Sequence, residues 1–408
     1  MTGFNLTQIQ AQAILDMQLR RLANLERQKI LDEYVEVLKN ITYLEGLLAN
    51  PERILLLIKD ETKELKDKFG DPRRTQISEQ GEVEFREEDL IPHQTMVVTL
   101  SNRGFVKSVP YHLYSLQHRG GKGIIGMVTR EDDAVKLLTV ADTHASLLFF
   151  TNRGKVFRLK CYEVPGAASR TAKGTAVVNL FPIGENEKVA DVVPVPDNVE
   201  DTYLLLVTNR GEIKKEALSN FASVRSSGLI AMDVEEGDEI VTTRLATEKD
   251  DVILITQKGQ SIRFPVSSLR VSLRTSGGVA GIRLVPGDHV VSMDVAAPDS
   301  FLLIVSTNGF GKLTPINRYP KQHRAGVGVR TFKITNKTGD VAAARLVTLT
   351  QQVMIISAEG NIIYTPVKER DPSKGIAIQG RSTQGVRLMR LDEGDSVVAI
   401  TAFDKAEK

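Results

Sequence analysis

Residues 97–107 read Val97-Val98-Thr99-Leu100-Ser101-Asn102-Arg103-Gly104-Phe105-Val106-Lys107. The same order of an apolar run, a Gly-centred turn and a second apolar run returns at residues 147–157 as Leu-Leu-Phe-Phe-Thr-Asn-Arg-Gly-Lys-Val-Phe. Val, Ile, Leu, Phe and Thr favour strands, and Asn-Arg-Gly favours a tight turn between two strands. The unit therefore predicts a β-hairpin, and its repetition decides the fold of the chain beyond residue 92.

The hairpin unit occurs six times, and its turn glycines are Gly104, Gly154, Gly211, Gly259, Gly309 and Gly360. Further strands are predicted at residues 204–208, 252–256, 302–306 and 353–357. Six units of about 50 residues, each with about four short strands, predict radial repetition around an axis, as in a propeller. Each unit must stack on its neighbours to bury its faces. The expected fold class is therefore mainly β.

The first 70 residues predict helices. Residues 6–20 lack Gly and Pro, and Thr7 is available as a cap. A longer helix runs to about residue 49 with an apolar stripe, and Asn50-Pro51 ends it and starts a third helix that stops at Gly70. The last two helices are expected to fold back on each other as an antiparallel pair. We predict a helical segment at residues 1–70, an acidic linker at 71–92 and the repeat domain at 93–404.

Composition and charge limit the classes of function. The chain has 408 residues and a net charge of +2, but residues 1–90 hold 13 basic and 18 acidic side chains, which leaves 40 basic and 33 acidic for residues 91–408. This excess in the repeats is compatible with a polyanionic partner. No signal peptide or membrane-length apolar run is found, and the single cysteine, Cys161, predicts a small apolar strand residue. We expect a cytoplasmic protein without membrane contact.

The second half of each unit carries an Arg followed by Gly. The first and most basic of these connections is residues 117–123, Gln-His-Arg-Gly-Gly-Lys-Gly. Glycines let backbone amides approach an anion closely, while a guanidinium group forms bidentate hydrogen bonds with phosphate oxygens. Turn geometry and solvation are the better explanation of any single connection, but six together favour a ladder of phosphate contacts. The predicted DNA-binding residues are Gln117, His118, Arg119, Gly120, Gly121, Lys122 and Gly123 in the first connection, and Arg103, Lys107, Arg153, Lys155, Arg158, Arg170, Lys173, Lys214, Lys215, Arg225, Arg263, Arg274, Lys312, Arg324 and Arg381 elsewhere.

Several chemistries find no support in the sequence. Gly120-Gly121-Lys122-Gly123 lacks the Ser or Thr and the following helix of a nucleotide-binding P-loop. No metal-ligand spacing and no Gly-x-Ser-x-Gly elbow occurs. Acidic Gly-Asp turns such as Gly237-Asp238 predict turn caps on the face away from a polyanion. We therefore predict no catalytic residue, no metal and no cofactor on this chain.

Two regions carry a resemblance to a known family. Residues 9–22, Ile-Gln-Ala-Gln-Ala-Ile-Leu-Asp-Met-Gln-Leu-Arg-Arg-Leu, and residues 70–75, Gly-Asp-Pro-Arg-Arg-Thr, resemble the end of the coiled-coil arm in bacterial DNA gyrase A subunits. The six repeats resemble that family's DNA-wrapping β-pinwheel. Residues 117–123 resemble its seven-residue box, with His118 in place of an Arg. Because histidine carries less charge near neutral pH, the box is expected to hold one phosphate less firmly.

The resemblance implies a function and partners. A positive DNA wrap would feed ATP-dependent negative supercoiling, with ATP and Mg²⁺ on a partner B subunit, in an A2B2 assembly that holds a second A subunit. In the family, the tyrosine of an Arg-Tyr pair in a winged-helix region attacks the DNA backbone. None of the eight tyrosines of this chain lies in such a region, so the chain alone is not expected to cleave DNA. Two alternatives stay open: the corresponding domain of topoisomerase IV, and a propeller used as a protein-interaction scaffold. A hydrolytic propeller is a distant third. Closed and spiral arrangements of the blades both fit the sequence, and dimerisation of the arm is left open.

Overall fold

The computed structural model describes residues 6–16, 24–75, 87–114, 120–121, 124–125, 133, 135–169, 171–195, 200–368 and 375–404. The chain divides into two compact units, residues 1–84 and residues 85–408. The first is helical and the second is built from strands. Residues 87–92, which the sequence assigned to a linker, belong to the second unit. The carbonyl of Pro92 accepts a hydrogen bond from the Thr143 hydroxyl (2.8 Å).

The first unit contains α1 (Gln8–Asp16), α2 (Asn24–Leu48) and α3 (Pro51–Phe69). The predicted caps are confirmed, since the Thr7 hydroxyl accepts from the Gln10 N–H (3.3 Å) and the Asn50 side chain accepts from the Glu52 N–H (3.0 Å). Each bond satisfies an N–H that the first turn of a helix leaves unpaired. Gly70 follows α3 with φ −70°, so it does not adopt the left-handed conformation typical of a C′ glycine.

The apolar stripes of α2 and α3 are largely exposed. The helices α2 and α3 contact each other, but Leu38 and Leu44 of α2 and Leu65 of α3 are exposed by 42%, 55% and 58%. All described side chains of α3 are exposed. The stripes are amphipathic as the sequence predicts, but neither covers the other within this chain.

The second unit consists of short strands joined by tight turns and single turns of 3-10 helix. The strands are β1 (Thr95–Ser101), β2 (Phe105–Pro110), β3 (Ile124–Ile125), β4 (Val135–Asp142), β5 (Ser146–Thr151), β6 (Lys155–Lys160), β7 (Thr175–Ala176), β8 (Val189–Val195), β9 (Tyr203–Thr208), β10 (Glu212–Ala217), β11 (Leu229–Ile230), β12 (Ile240–Ala246), β13 (Asp251–Thr256), β14 (Gln260–Pro265), β15 (Val279–Ala280), β16 (Val290–Ala296), β17 (Phe301–Ser306), β18 (Phe310–Pro315), β19 (Val329–Arg330), β20 (Val341–Val347), β21 (Gln352–Ser357), β22 (Asn361–Pro366), β23 (Val386–Arg387) and β24 (Val397–Phe403). The four further predicted strands are confirmed, because they lie within β9, β13, β17 and β21.

Six antiparallel four-stranded sheets form the blades of a propeller. In chain order they are β4-β1-β2-β7, β8-β5-β6-β11, β12-β9-β10-β15, β16-β13-β14-β19, β20-β17-β18-β23 and β24-β21-β22-β3, here called blades 1 to 6. The fourth strand of each blade has only two residues and comes from the following repeat. Blade 6 receives β3 from the first repeat, so the two ends of the array are joined by hydrogen bonds.

The ring is closed. The inner strands β4, β8, β12, β16, β20 and β24 contact one another in cyclic order, and β24 contacts β4. Six hydrophobic cores lie between neighbouring blades; Phe149 and Phe157 of blade 2, for example, pack with Val98 and Leu100 of blade 1. Residues on both faces of the hairpin strands are consequently buried, and each repeat depends on its neighbours as the sequence predicts.

The turn glycines are required by the backbone. All six have a positive φ between 77° and 88°, a conformation that costs other residues free energy because of their Cβ atom. At Gly154 a Cβ would also lie 2.0 Å from the Met232 carbonyl oxygen of the neighbouring chain segment. This glycine therefore serves both the turn and the close approach of the next repeat.

Candidate nucleic-acid interface

The Arg–Gly connections lie at the outer edges of the blades. Each connection directly precedes one of the two-residue strands, and these strands are the fourth and outermost of their sheets, opposite the inner strands around the axis. The connection at residues 170–174, for example, leads into β7 at the edge of blade 1. Gly120 and Gly121 of the first connection precede β3 at the edge of blade 6. The described parts of six separate stretches of sequence are thus distributed around one perimeter.

Most of the first connection lies outside the described residues. This holds for the predicted sites Gln117, His118, Arg119, Lys122 and Gly123, and also for Arg170 in the second connection. Gly120 and Gly121 are described. The Gly120 N–H donates to the Leu388 carbonyl (2.6 Å), and the Arg390 N–H donates to the Gly121 carbonyl (3.0 Å). These two bonds attach the connection to the chain that follows β23.

Glycines of the other connections contact the second strand of the blade that they cover. A Cβ at Gly174 would lie 2.6 Å from the Val106 carbonyl oxygen, and one at Gly385 would lie 2.5 Å from the Gly311 carbonyl oxygen. Both glycines also have positive φ, 85° and 74°. Backbone packing thus accounts for these two glycines without an anion, and the argument for a binding surface rests on the basic side chains.

Four of the predicted arginines are exposed: Arg103, Arg153, Arg225 and Arg324. Arg103 and Arg153 lie at hairpin turns, whereas Arg225 and Arg324 lie in connections. Arg324 also donates through Nη1 to the Ala280 carbonyl (3.1 Å), which ties it to the neighbouring short strand. Four more predicted residues, Arg274, Arg381, Lys155 and Lys173, are half-buried. The Lys155 ammonium lies 3.4 Å from Glu187, and that of Lys173 lies 3.9 Å from the centre of the Phe105 ring.

The prediction for four lysines is wrong as stated, because Lys107, Lys214, Lys215 and Lys312 are at most 1% exposed. Their strands are covered on both faces by neighbouring blades, so alternation along the strand does not bring them to solvent. Lys215 contacts Glu248 and lies 4.4 Å from the centre of the Tyr203 ring. None of the four is on a surface that DNA can reach in this fold.

Arg158 and Arg263 are also committed to internal contacts. The Arg263 guanidinium donates to Asp251 through Nε (3.0 Å) and Nη2 (2.6 Å), and through Nη1 to the Ile316 carbonyl (3.0 Å). Arg158 donates to the Ala222 carbonyl and to the Ser146 hydroxyl (2.9 Å). These contacts link neighbouring segments of the propeller, and the assignment of both residues to DNA contacts stays a prediction.

Several exposed cations were not predicted from the sequence. Arg210 and Lys258 occupy the hairpin-turn position of Arg103 and Arg153, one residue before the turn glycine. A second group lies five residues after the connection glycine in three successive repeats. Both groups could have been found by aligning the repeats position by position. The second group is Arg283, Lys333 and Arg390.

The acidic turns cap the hairpin turns of their own blades. The carboxylates of Asp133, Asp238, Asp288 and Asp395 accept from the backbone N–H groups of residues 103, 210, 258 and 359. The capping prediction is confirmed, but the acids do not lie on a face away from the basic residues. Asp133, Asp238 and Asp288 bind the backbone of the Arg or Lys at the hairpin turn and thereby fix that turn. Asp395 binds the backbone of Glu359 in the same way.

Charged side chains also line the axis, where no sequence pattern pointed to them. Arg244 lies between Asp191 (2.9 Å) and Asp294 (3.4 Å), and Arg345 lies 3.4 Å from Asp294. Burial and the nearby Arg244 charge lower the pKa of Arg345. All four side chains belong to the inner strands β8, β12, β16 and β20, so they join blades at the centre and are remote from the outer edge.

One cluster of possible metal ligands occurs among the described residues. His93, Asp142 and His144 bring ligand atoms within 4.8 Å of one another. Hydrogen bonds account for the arrangement, because Asp142 Oδ1 lies 2.9 Å from His93 Nδ1 and accepts from the His144 N–H (2.9 Å). Burial raises the pKa of Asp142, but these bonds outweigh burial and hold it below its ordinary value. His93 and Asp142 are 49 residues apart, so spacing alone did not reveal the cluster.

Neither Cys161 nor Tyr319 is suited to nucleophilic chemistry. Cys161 is fully buried, and burial raises the pKa of its thiol to about 11, as expected for the small apolar residue that the sequence predicts. Tyr319 follows an arginine, but it is 2% exposed and its hydroxyl bonds to Thr331 (2.6 Å). Among the described helices, none is long and apolar enough to cross a bilayer.

Comparison with known proteins agrees with this architecture. The family model described as "DNA gyrase C-terminal domain, beta-propeller" matches residues 95–141, 145–196, 202–246, 250–297, 300–348 and 351–404. The six matched segments correspond to the six repeats. Together they cover well over half of the chain.

Two curated relatives are similar over nearly the whole chain. The DNA gyrase A subunit of Dehalogenimonas lykanthroporepellens is 56% identical over 398 residues, which are 98% of this chain and 49% of the relative. The DNA gyrase A subunit of Staphylococcus aureus strain MRSA252 is 43% identical over 410 residues, 99% of this chain and 46% of the relative. The chain therefore spans about half the length of the curated relatives it matches.

Two solved structures share the fold. A DNA gyrase A C-terminal domain superposes with a TM-score of 0.68 at 26% identity, covering 76% of this chain and 100% of the other. The C-terminal domain of a DNA topoisomerase IV gives a TM-score of 0.57 at 20% identity, covering 77% and 94%. The second likeness concerns the fold alone.

Proposed function

The chain belongs to the DNA gyrase C-terminal domain family, a family of β-propellers, and from this premise we propose that it binds double-stranded DNA along its outer edge and wraps it. The observation that carries the proposal is the placement of the connections. Each precedes the outermost strand of a blade, so that Arg225, Arg274, Arg324 and Arg381 belong to successive positions on one perimeter. A continuous polyanion could meet a basic group at every blade.

The energetics of bending favour this distributed arrangement. Bending 20–30 base pairs by 40–90° costs roughly 1–6 kcal/mol, and a single cluster of cations would leave most of the arc without compensation. Contacts spread over six blades offset the cost along the whole path. Because arginine and lysine at this edge would bind phosphates rather than base edges, we infer that binding is largely independent of sequence.

The role in a larger assembly follows the family and is also a proposal. The DNA gyrase A subunit is part of a type II topoisomerase, and we propose that this chain supplies the positive wrap that strand passage converts into negative supercoiling. ATP and Mg²⁺ would then act on the partner B subunit rather than on this chain. A second A subunit would complete an A2B2 enzyme in the cytoplasm, close to the nucleoid. The exposed apolar stripe of α2 supports a protein contact for the helical unit.

We also propose that the chain does not cleave DNA by itself. Among the described residues, Tyr319 is the tyrosine that directly follows an arginine, and its hydroxyl is buried and bonded to Thr331. Burial raises its pKa, which disfavours the phenolate that would attack a phosphate. A cleavage assay with the chain alone should therefore leave supercoiled plasmid intact.

The decisive experiment measures topology. The purified chain is bound to nicked DNA circles, the nicks are ligated, and the linking number is read after removal of the protein. We expect a shift of linking number in the positive direction that grows with protein concentration. The triple variant Arg225→Ala/Arg324→Ala/Arg381→Ala should reduce this shift strongly.

A matched control variant has the same net charge as the triple variant at the blade edges. The variant Lys59→Ala/Lys63→Ala/Lys66→Ala removes three exposed cations from α3 and should leave the shift unchanged. Circles with unchanged topology would contradict wrapping. An equal effect of both triple variants would show that total charge, and not the blade edges, determines binding.

Salt dependence tests the phosphate contacts separately. The logarithm of the binding constant should fall linearly with the logarithm of salt concentration, and each lost phosphate contact should lower the slope by about 1. The blade-edge triple variant should therefore lose about 3 units of slope. Absence of DNA binding at low salt would favour a protein-interaction scaffold instead. Binding without a topological shift would contradict wrapping.

A further inference from the structure

At one position of the second strand, lysine and apolar residues alternate from blade to blade. In blades 1, 3 and 5 the residue is lysine: Lys107 pairs with Thr99, Lys214 with Leu206 and Lys312 with Ile304. In blades 2, 4 and 6 the corresponding residue is apolar. These residues are Phe157, Ile262 and Ile363, which pair with Phe149, Leu254 and Ile355. The fold therefore accepts an apolar residue here, and the lysines need a separate explanation.

Each buried ammonium binds the connection that covers its blade. Lys107 Nζ donates to the Ala172 carbonyl (2.8 Å), and Lys214 Nζ donates to the Arg274 carbonyl (2.7 Å). Lys312 Nζ donates to the Gly380 and Arg381 carbonyls (2.5 Å each) and to the Thr383 hydroxyl (3.0 Å). Three connections, each from the next repeat, are thus held by the same kind of contact.

We propose that Lys107, Lys214 and Lys312 are positioning residues, which hold the connections of alternate blades in the conformation that meets DNA phosphates. The inference rests on the proposed DNA binding of the blade edges. The lysines would not touch DNA themselves. They would act through the peptide groups whose carbonyls they bind.

Peptide geometry explains how this contact reaches the surface. In a trans peptide the carbonyl of one residue and the N–H of the next point in opposite directions. With the Arg274 and Arg381 carbonyls bound to a buried ammonium, the N–H groups of Thr275 and Ser382 point away from the interior. Both residues are exposed, and within the described part of the chain neither N–H has an acceptor. Such outward N–H groups beside an arginine are suited to phosphate oxygens.

Blade 4 provides the contrast within the same molecule. Its lysine position holds Ile262, and the equivalent N–H, that of Ala325, donates to the Gly281 carbonyl (2.7 Å). The N–H is thus used inside the fold instead of being presented outward. The edges of blades 3 and 5 are thus set by a buried lysine, whereas the edge of blade 4 is set by backbone bonding.

The buried ammonium and the connection depend on each other. A charge without contact to water needs acceptors, and at Lys312 these come from residues 380, 381 and 383. Burial and the nearby Arg381 charge lower the pKa of Lys312 to about 7. A loop that moved away would leave the amino group without these bonds, so the loop is held in place.

The test uses Lys312→Met in the full chain, which copies the apolar character of blades 2, 4 and 6. Hydrogen exchange of the segment around residues 379–385 should become faster, and DNA affinity at fixed low salt should fall roughly three- to tenfold because the edge is no longer ordered before binding. Lys312→Gln, whose amide can still donate to a carbonyl, should recover part of both losses. Ile262→Met in blade 4 is the matched control and should change neither.

A double variant separates positioning from general damage. In the Arg381→Ala background, Lys312→Met should lower DNA affinity less than about twofold further, since the lysine acts through that connection. A full additional loss in this background, or unchanged exchange in Lys312→Met, would overturn the positioning role. Faster exchange together with DNA binding that neither Lys312→Met nor Arg381→Ala alters would instead overturn the proposed function of this edge, so the two failures are distinguishable.

Discussion

The ion pair between Lys214 and Glu216 in blade 3 gives the sharpest prediction. Lys214 Nζ lies 3.4 Å from Glu216 Oε2, and both side chains are 0% exposed. Burial lowers the pKa of Lys214 and raises that of Glu216. Lys214→Met leaves the Glu216 carboxylate buried with a hydrogen bond from the Asn220 amide (3.2 Å). Removing one member of a buried pair costs about 3–5 kcal/mol, and we expect a loss of that size in the free energy of unfolding.

Variants at Glu216 show whether the lost free energy of unfolding comes from the Glu216 carboxylate that is left buried without Lys214. Glu216→Gln should cost less, about 1–3 kcal/mol, because Lys214 keeps its bonds to the Ala231 and Arg274 carbonyls (2.7 Å each). Lys214→Met/Glu216→Gln leaves no buried charge and should be more stable than Lys214→Met alone. The coupling energy of the cycle should be about 0.5–3 kcal/mol.

Urea unfolding at neutral pH, followed by far-ultraviolet circular dichroism, measures these differences. The matched control is Ile262→Met at the equivalent position of blade 4, where a swap of similar volume should cost less than about 1.5 kcal/mol. If Lys214→Met costs no more than this control, or if the two single losses simply add, the reasoning about a dependent buried pair is refuted.

Three further predictions concern single positions. Cys161 should resist thiol reagents at mildly alkaline pH until the protein unfolds, because burial raises the pKa of its thiol to about 11; labelling of the native protein would contradict this. Gly104→Ala should lower the free energy of unfolding by about 1–2 kcal/mol because of the positive φ at this position. Gly154→Ala should lower it considerably more, since its Cβ would also lie 2.0 Å from the Met232 carbonyl oxygen. Equal melting temperatures of the two variants would exclude this steric clash. Burial lowers the pKa of Lys312 to about 7 in the folded protein, against the ordinary 10.5 in the unfolded chain, so the unfolded chain binds more protons between these two pH values. The free energy of unfolding should therefore rise with pH in this range, by up to about 1.4 kcal/mol per pH unit relative to Lys312→Met. Parallel curves of unfolding free energy against pH for the two proteins would refute this prediction.

Local patterns in the sequence determined the elements and their order. Asn50-Pro51 predicted a helix start because a side-chain acceptor and a fixed φ are local properties, and the Asn50 cap is confirmed. The turn glycines likewise predicted six hairpins, since a positive φ is required whatever surrounds the turn. The spacing of these hairpins predicted radial repetition, because units of one length that bury their faces only on one another must stack.

Only the tertiary structure decided which side chains face solvent and which repeat completes which blade. Lys107 and Lys312 were predicted on the surface because a lysine in a strand ordinarily points to water, but in this ring both faces of each hairpin are covered by neighbouring blades. The pairing of β3 with β22 closes the ring between residues from opposite ends of the repeat array, such as Ile125 and Asn361, a separation at which no local pattern operates. The ion pairs of Asp191, Arg244 and Asp294 at the axis arise for the same reason, since each strand contributes a charge that only the assembled ring brings together.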